Sequence, residues 1–186
     1  MVFTTVLALI TGVIIGRLTG GRFRNLAAHP FRAWWLLIVG VGLQVLLDRV
    51  DLGGISTVAQ LAGYVALLAF AALNSAIVGM GIIAIGVACN AVAIGLNGGM
   101  PVSPSAVVSA RIASDTVEPQ IGYGLRHHRQ RPGDRLVFLS DIIPIPELHE
   151  VVSFGDLILA IGVADTAAHL LAPRKRHLAG ERAGSG

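Results

Sequence analysis

From Ala76 to Leu96 the chain carries no charged side chain. A run of that length suits the hydrocarbon of a bilayer, where a spanning helix needs about 20 largely apolar residues, within a range of about 17 to 25. The rest of the chain points the same way. Of its 186 residues, 54% are hydrophobic and 13% charged, against roughly one-quarter charged in a soluble domain. The 23 glycines suit helices packed closely in lipid better than a core built from large side chains.

Four further apolar runs accompany the first, and the spans are read as 2–18, 33–47, 55–73, 76–96 and 151–172. The second is short, but Trp34 and Trp35 stand at its start where an aromatic belt belongs. The last is interrupted by Asp156, Asp165 and His169, which leaves only Leu157 to Ala164 continuously free of charge. The expected fold is therefore all-α, a polytopic transmembrane bundle of about five spans. Residues 1–175 form a single membrane domain, residues 97–150 a long polar loop containing a short interfacial or re-entrant helix, and 176–186 a disordered tail.

Arginines set the expected orientation, because short connections rich in positive charge stay in the cytoplasm. Arg17, Arg22, Arg24 and Arg32 follow the first span, and Arg174, Lys175 and Arg176 follow the last. Both groups are placed inside, which puts the N-terminus and the 97–150 loop outside, in a multi-pass protein of a bacterial inner membrane. The first run has no basic segment before it and no small-residue cleavage site after it, so it reads as a retained span. The basic residues gather at the ends of the runs and in one loop, so nucleic acid is not an expected partner. Cys89 is the only cysteine, which excludes an internal disulfide.

The loop opens with Asn97-Gly98-Gly99-Met100-Pro101-Val102-Ser103-Pro104. Glycine and proline end the fourth helix, and Ser103 with Pro104 predicts the cap and first turn of a short helix with Val107, Val108 and Ile112 on one face, lying on or dipping into the outer membrane surface. Exposed amides at its start are a place where an anionic group could bind. Farther on stand Arg126, His127, His128, Arg129, Arg131, Asp134 and Arg135, then Asp141 in an otherwise apolar stretch. A carboxylate among Phe138, Leu139, Ile142 and Ile143 needs a partner, and a charged loop near headgroups is the preferred reading. The catalytic alternative makes Asp141 with His127 or His128 an acid and base pair, although no nucleophile motif accompanies them. No metal site is expected, since His127, His128, His149, Asp141, Glu147 and Glu150 show no recognised ligand spacing, and no cofactor is expected either.

Ser153-Phe154-Gly155-Asp156 fits a capping box that starts the last helix. Asp165 and His169 stand one turn apart within it. The preferred reading pairs Asp165 with Arg17 and sends His169 to the headgroups, and the alternative is a proton relay or cation site. Gly12 and Gly16 form a GxxxG pair, and Gly79, Gly81 and Gly86 thin one side of the fourth helix. Asn74, Asn90 and Gln44 are read as polar links between helices.

The NGGMPV element at Asn97 to Val102, the basic and histidine-containing middle, Leu-Ser-Asp-Ile-Ile-Pro at Leu139 to Pro144 and Ser-Phe-Gly-Asp at Ser153 to Asp156 together resemble a bacterial membrane family known as domain of unknown function 5317. That resemblance covers nearly the whole chain and carries no activity. It implies Asn97, Gly98, Gly99, Pro101, Asp141 and Asp156 as ligand-binding residues. Asp165, His169 and Asn90 are intramembrane polar positions on the reading of the residues themselves. Three functions follow. The first is a binding or transport-associated protein for a small molecule, ion or lipid, with an outward polar pocket. The second is an enzyme acting on a lipid or lipid-linked phosphate from the outer face. The third is a structural subunit of a membrane complex. The bilayer is the expected partner throughout, and a second copy or a complex partner the further one.

Overall fold

The computed structural model describes residues 2–28, 30–50, 52–114, 116 and 122–172. The expected tail at 176–186 and the basic group at 174–176 lie outside these. Six α-helices lie among the described residues: α1 (Val2–Leu18), α2 (Trp34–Leu47), α3 (Ser56–Leu73), α4 (Met80–Asn97), the short α5 (Pro104–Ser109) and α6 (Phe154–Leu171). Three of them, α3, α4 and α6, are each 18 residues long and apolar enough to cross a membrane. At 17 and 14 residues, α1 and α2 are shorter.

The ends of the helices depart from expectation for local reasons. The second helix starts at Trp34, because Ala33 takes a left-handed conformation. The fourth starts at Met80 rather than Ala76, because residues 74–79 form the turn from α3 and Gly79 is left-handed as well. It runs on through Asn97 and stops where Gly98 adopts φ of 70°, a conformation that costs a glycine little. The last helix starts at Phe154 behind the Ser153 capping box, as that motif predicts, and Val151 and Val152, which the expected span 151–172 includes, belong instead to strand β4 (Glu150–Val152).

Packing runs in a row: α1 lies on α6, α6 on α4, α4 on α3 and α3 on α2. The row is open between its end members, α1 and α2. Gly12 and Gly16 bring α1 close to α6. A β-carbon on Gly12 would overlap the backbone carbonyl of Ala164, and one on Gly16 would come within 2.9 Å of the Ala168 oxygen. Small residues permit this kind of approach, and it lets dispersion hold helices together where lipid supplies no hydrophobic drive. Tyr64, Val87, Ala93, Ile94 and Met100 form one core cluster, and Phe70, Ala71 and Met80 a second.

Outside these contacts the helices are coated with apolar side chains. Phe3, Ile10 and Ile14 on α1, Ile38 and Val45 on α2 and Val65 on α3 are exposed. A water-soluble protein rarely leaves so much contiguous apolar surface bare, and hydrocarbon would cover it without cost.

The segment expected to be a polar loop with a single short helix also contains four three-residue strands. Strand β1 (Met100–Val102) pairs in parallel with β2 (His127–Arg129), and β3 (Ile143–Ile145) pairs antiparallel with β4. On the other side of β1, Asp141 donates its N–H to the Pro101 carbonyl at 3.0 Å and accepts from the Ser103 N–H at 2.9 Å. Helix α5 has the Ser103 cap and Pro104 start read from the sequence. It ends before Ile112, because Arg111 turns to φ of 58°, and it buries Ala106 and Val107 while packing against β3 and β4.

This loop assembly sits at one end of the bundle. Glu150 accepts from the Phe3 and Thr4 N–H groups and the Thr4 hydroxyl, at 3.0, 3.1 and 2.7 Å, so it caps the start of α1. Thr57 at the start of α3 donates to the Gly98 carbonyl. At the opposite end the Arg32 backbone exchanges hydrogen bonds with the Asn74 side chain, and Arg22 and Asn25 donate to the last carbonyls of α6.

Candidate functional site

Two clefts lie inside the row of helices. The first, of about 340 Å³, sits at the loop end and is lined on its polar side by Gln44, Asp48, Tyr64, Asn90 and Arg126. The second, of about 350 Å³, lies deeper and is almost wholly apolar, with Leu9, Phe31, Phe70 and Ile83 on its walls. Thr5, Val41, Leu67, Val87 and Leu159 line both, so the two are lengths of one groove.

Arg126 is the cation of the mouth. It reaches it because Met100 donates its N–H to the Arg126 carbonyl, which joins the residue to the edge of the β1 and β2 pair. Its Nε donates to Asp48 and its Nη1 to Gln44, each at 2.6 Å. The side chain is 10% exposed, and Nη2 makes no hydrogen bond with a described residue. Tyr64, 6% exposed, also lines the mouth, and its hydroxyl has no hydrogen-bond partner among the described residues. Partly used donors walled by apolar side chains can receive acceptor oxygens from a ligand and hold them more tightly than in water.

Behind the mouth is a buried polar lock. Asn90 donates to Asp156 at 2.7 Å, Ser153 donates to the Asn90 oxygen at 2.9 Å, and the Ser153 and Asp156 backbone N–H groups complete the capping box. Each of these three residues is at most 3% exposed. The arrangement fastens the start of α6 to the middle of α4.

The other residues singled out in the sequence separate into distinct roles. Asn97 clasps Arg135, donating to its carbonyl at 3.0 Å and accepting from its N–H at 2.7 Å. Gly98 and Gly99 make the turn into β1, and Pro101 is fully buried within it. The two neighbouring histidines point to different carboxylates. His128 Nε2 lies 3.2 Å from Asp134, and His127 Nε2 lies 3.7 Å from Asp141. At 3.7 Å the second contact is too long for a hydrogen bond. Burial pushes the Asp141 carboxyl well above its usual range, and the nearby Asp156 charge adds to this. Burial, then the Arg126 charge, lowers His127 to about 4. Both shifts disfavour the charged form of their group, so burial works against an ion pair here. Asp141 Oδ1 and Ser140 Oγ are buried without a hydrogen-bond partner. Neither His127 nor Asp141 lines either cleft.

At the opposite end, Asp165 pairs with His169 at 3.0 Å, one-third and one-half exposed respectively. The expected pairing of Asp165 with Arg17 does not form. Arg17 instead donates to the Gly21 carbonyl and lies over the Phe23 ring, because the chain turns back at once after α1. Among the described residues no three His, Cys, Asp or Glu side chains gather as a metal-ligand group.

Gln44, Asn90 and Arg126 are each legible in the sequence, but no local pattern joins them to one another, to Asp48 or to Tyr64. The available signal is that Gln44, Tyr64 and Asn90 are polar side chains within three apolar runs.

The fold and site define a mostly helical protein with helices suited to a membrane and a groove that is polar at one end. More particularly, the chain belongs to the family of unknown function DUF5317, whose model matches residues 28–166. No curated protein and no solved structure matches it.

Proposed function

We propose that this is a five-span protein of a bacterial cytoplasmic membrane, with its N-terminus and the 97–150 assembly outside, that binds a small molecule in the pocket at Arg126. The observation that carries the binding reading is that Arg126 and Tyr64, with donors that no described residue takes up, line a cleft of about 340 Å³, within the roughly 300–1,000 Å³ common for ligand sites. The orientation is supported by the placement of Arg17, Arg22, Arg24 and Arg32 at the end opposite this assembly, since positive connections stay inside. On this reading Asn97, Gly98, Gly99, Pro101, Asp141 and Asp156 do not line the pocket but hold together the loop assembly and the start of α6 beside it, and Asp165 with His169 stands apart from it. The enzyme reading is weaker because the His127 and Asp141 pair does not face the groove.

Two measurements test the proposal. Protein purified from native membranes into lipid nanodiscs, as wild type and as Arg126→Gln, is extracted and its small molecules are compared by mass spectrometry. A species enriched with wild type and lost with Arg126→Gln is expected, and identical extracts would sink the binding reading. Single cysteines at Ser105, His128 and Ala179, in a Cys89→Ala background, are treated on intact cells with an impermeant thiol reagent. Labelling at the first two alone is expected, whereas labelling only at Ala179 would invert the orientation.

A further inference from the structure

The groove has an end and a length of different chemistry, and together they describe its occupant. We infer that it takes an acidic amphiphile from the bilayer, with the acid at Arg126 and the apolar tail lying in the cleft between α1 and α2. This deepens the binding reading above and rests on it.

The first reason is continuity. Thr5, Val41, Leu67, Val87 and Leu159 line both clefts, so a molecule held at the mouth extends into the apolar part without a break. The second is composition. The deeper cleft has no charged side chain on its walls, and Thr5 and Thr166 are its only polar residues. A ligand polar along its whole length would lose its water there and find nothing to replace it. The third is the mouth. Asp48, with its side chain 45% exposed, takes Arg126 Nε alone. The Nη2 edge and the Tyr64 hydroxyl remain for a second group, and a carboxylate or phosphate oxygen fits a guanidinium edge. A neutral head would gain less, because hydrogen bonds to charged groups are about twice as strong as neutral ones.

The route of entry follows from the packing order. Since α1 and α2 end the row and line the groove from opposite sides, the cleft faces outward between them. Both helices carry apolar side chains on their exposed faces. A tail can therefore slide in from lipid without crossing water, while its head stays at the depth of the loop end.

The test uses the full chain in phosphatidylcholine nanodiscs and a diazirine-bearing palmitic acid as photolabel. Competitors are palmitic acid, lysophosphatidic acid, palmityl alcohol and inorganic phosphate. Expected is saturable labelling on α1 and α2 peptides, displaced by the two acids, with the alcohol weaker by about ten-fold and phosphate inactive. The more effective acid identifies the head as carboxylate or phosphate. Arg126→Gln should erase the preference for acid over alcohol. Leu9→Trp, at a half-exposed position that lines only the deeper cleft, should weaken labelling by about ten-fold or more. Val41→Trp replaces it if its melting temperature falls.

Displacement by inorganic phosphate as effectively as by palmitic acid, with labelling indifferent to Leu9→Trp, would overturn the tail while leaving a polar pocket at Arg126. Labelling that never saturates and ignores both substitutions would overturn the amphiphile and the pocket together.

Discussion

Asn90 is joined to Asp156 across 66 residues of chain. Its amide satisfies one carboxylate oxygen, and its own oxygen takes the Ser153 hydroxyl. The capping box itself was legible, because Ser153 and Asp156 have the spacing of a helix start. The third member was not, because an asparagine in an apolar run gives no indication of which helix it meets. Asn90→Ala strands two buried groups, each costing about 1–3 kcal/mol. A clear fall in the melting temperature in nanodiscs is expected, and an unchanged value would refute the lock. Asp141 and His127 give opposite pH responses. The Asp141 carboxyl is raised in the folded state, so its contribution is full below about pH 3.9, its unfolded value, and is lost as pH rises through the folded value. His127 is lowered to about 4, so stability falls on acidification from about pH 6.5, where the unfolded imidazole starts to take a proton that the folded one refuses. Melting curves from pH 4 to 8 should show Asp141→Asn relieving the loss on the alkaline side and His127→Gln the loss on the acid side. Parallel curves for all three proteins would contradict both shifts.

Among the helices, α1 approaches α6 closely through small residues. Gly12 faces the α6 backbone at Ala164, whereas a β-carbon on Gly42 of α2 would meet nothing within 4 Å. Gly12→Ala should therefore lower the melting temperature, while Gly42→Ala should leave it unchanged or raise it, since alanine is the better helix former by about 1 kcal/mol. Equal responses at the two sites would show that α1 is not held by close approach. The GxxxG spacing signalled such a contact but not its partner, and α6 follows α1 by more than a hundred residues of chain. In the loop, Ser103 and Pro104 announced α5 because cap and first turn are local. The strands β1 to β4 went unread, since three residues are too few to display an alternating pattern, and each pairs with a segment set by the ends of the helices.

At the scale of the molecule, the five long helices form an open row enclosing a groove. Their lengths carry a consequence. The 18-residue helices extend about 27 Å and the 14-residue α2 about 21 Å at 1.5 Å per residue, short of the roughly 30 Å hydrocarbon core of a typical bilayer. If these helices span, mismatch should favour thinner membranes. The melting temperature is expected to be higher in nanodiscs of 14-carbon than of 22-carbon phosphatidylcholines, and the reverse order would argue against spanning by α2. The sequence alone determined that the protein is mostly helical and where its apolar helices run, to within a few residues, because continuous hydrophobicity and local caps act on neighbours in the chain. It also determined the start of α6 and of α5, for the same reason. Only the tertiary structure decided that Arg126 meets Gln44 and Asp48, that the Asp141 backbone closes on Pro101, and that Tyr64 lines a groove. Those contacts join segments tens of residues apart, which no local pattern in the chain specifies.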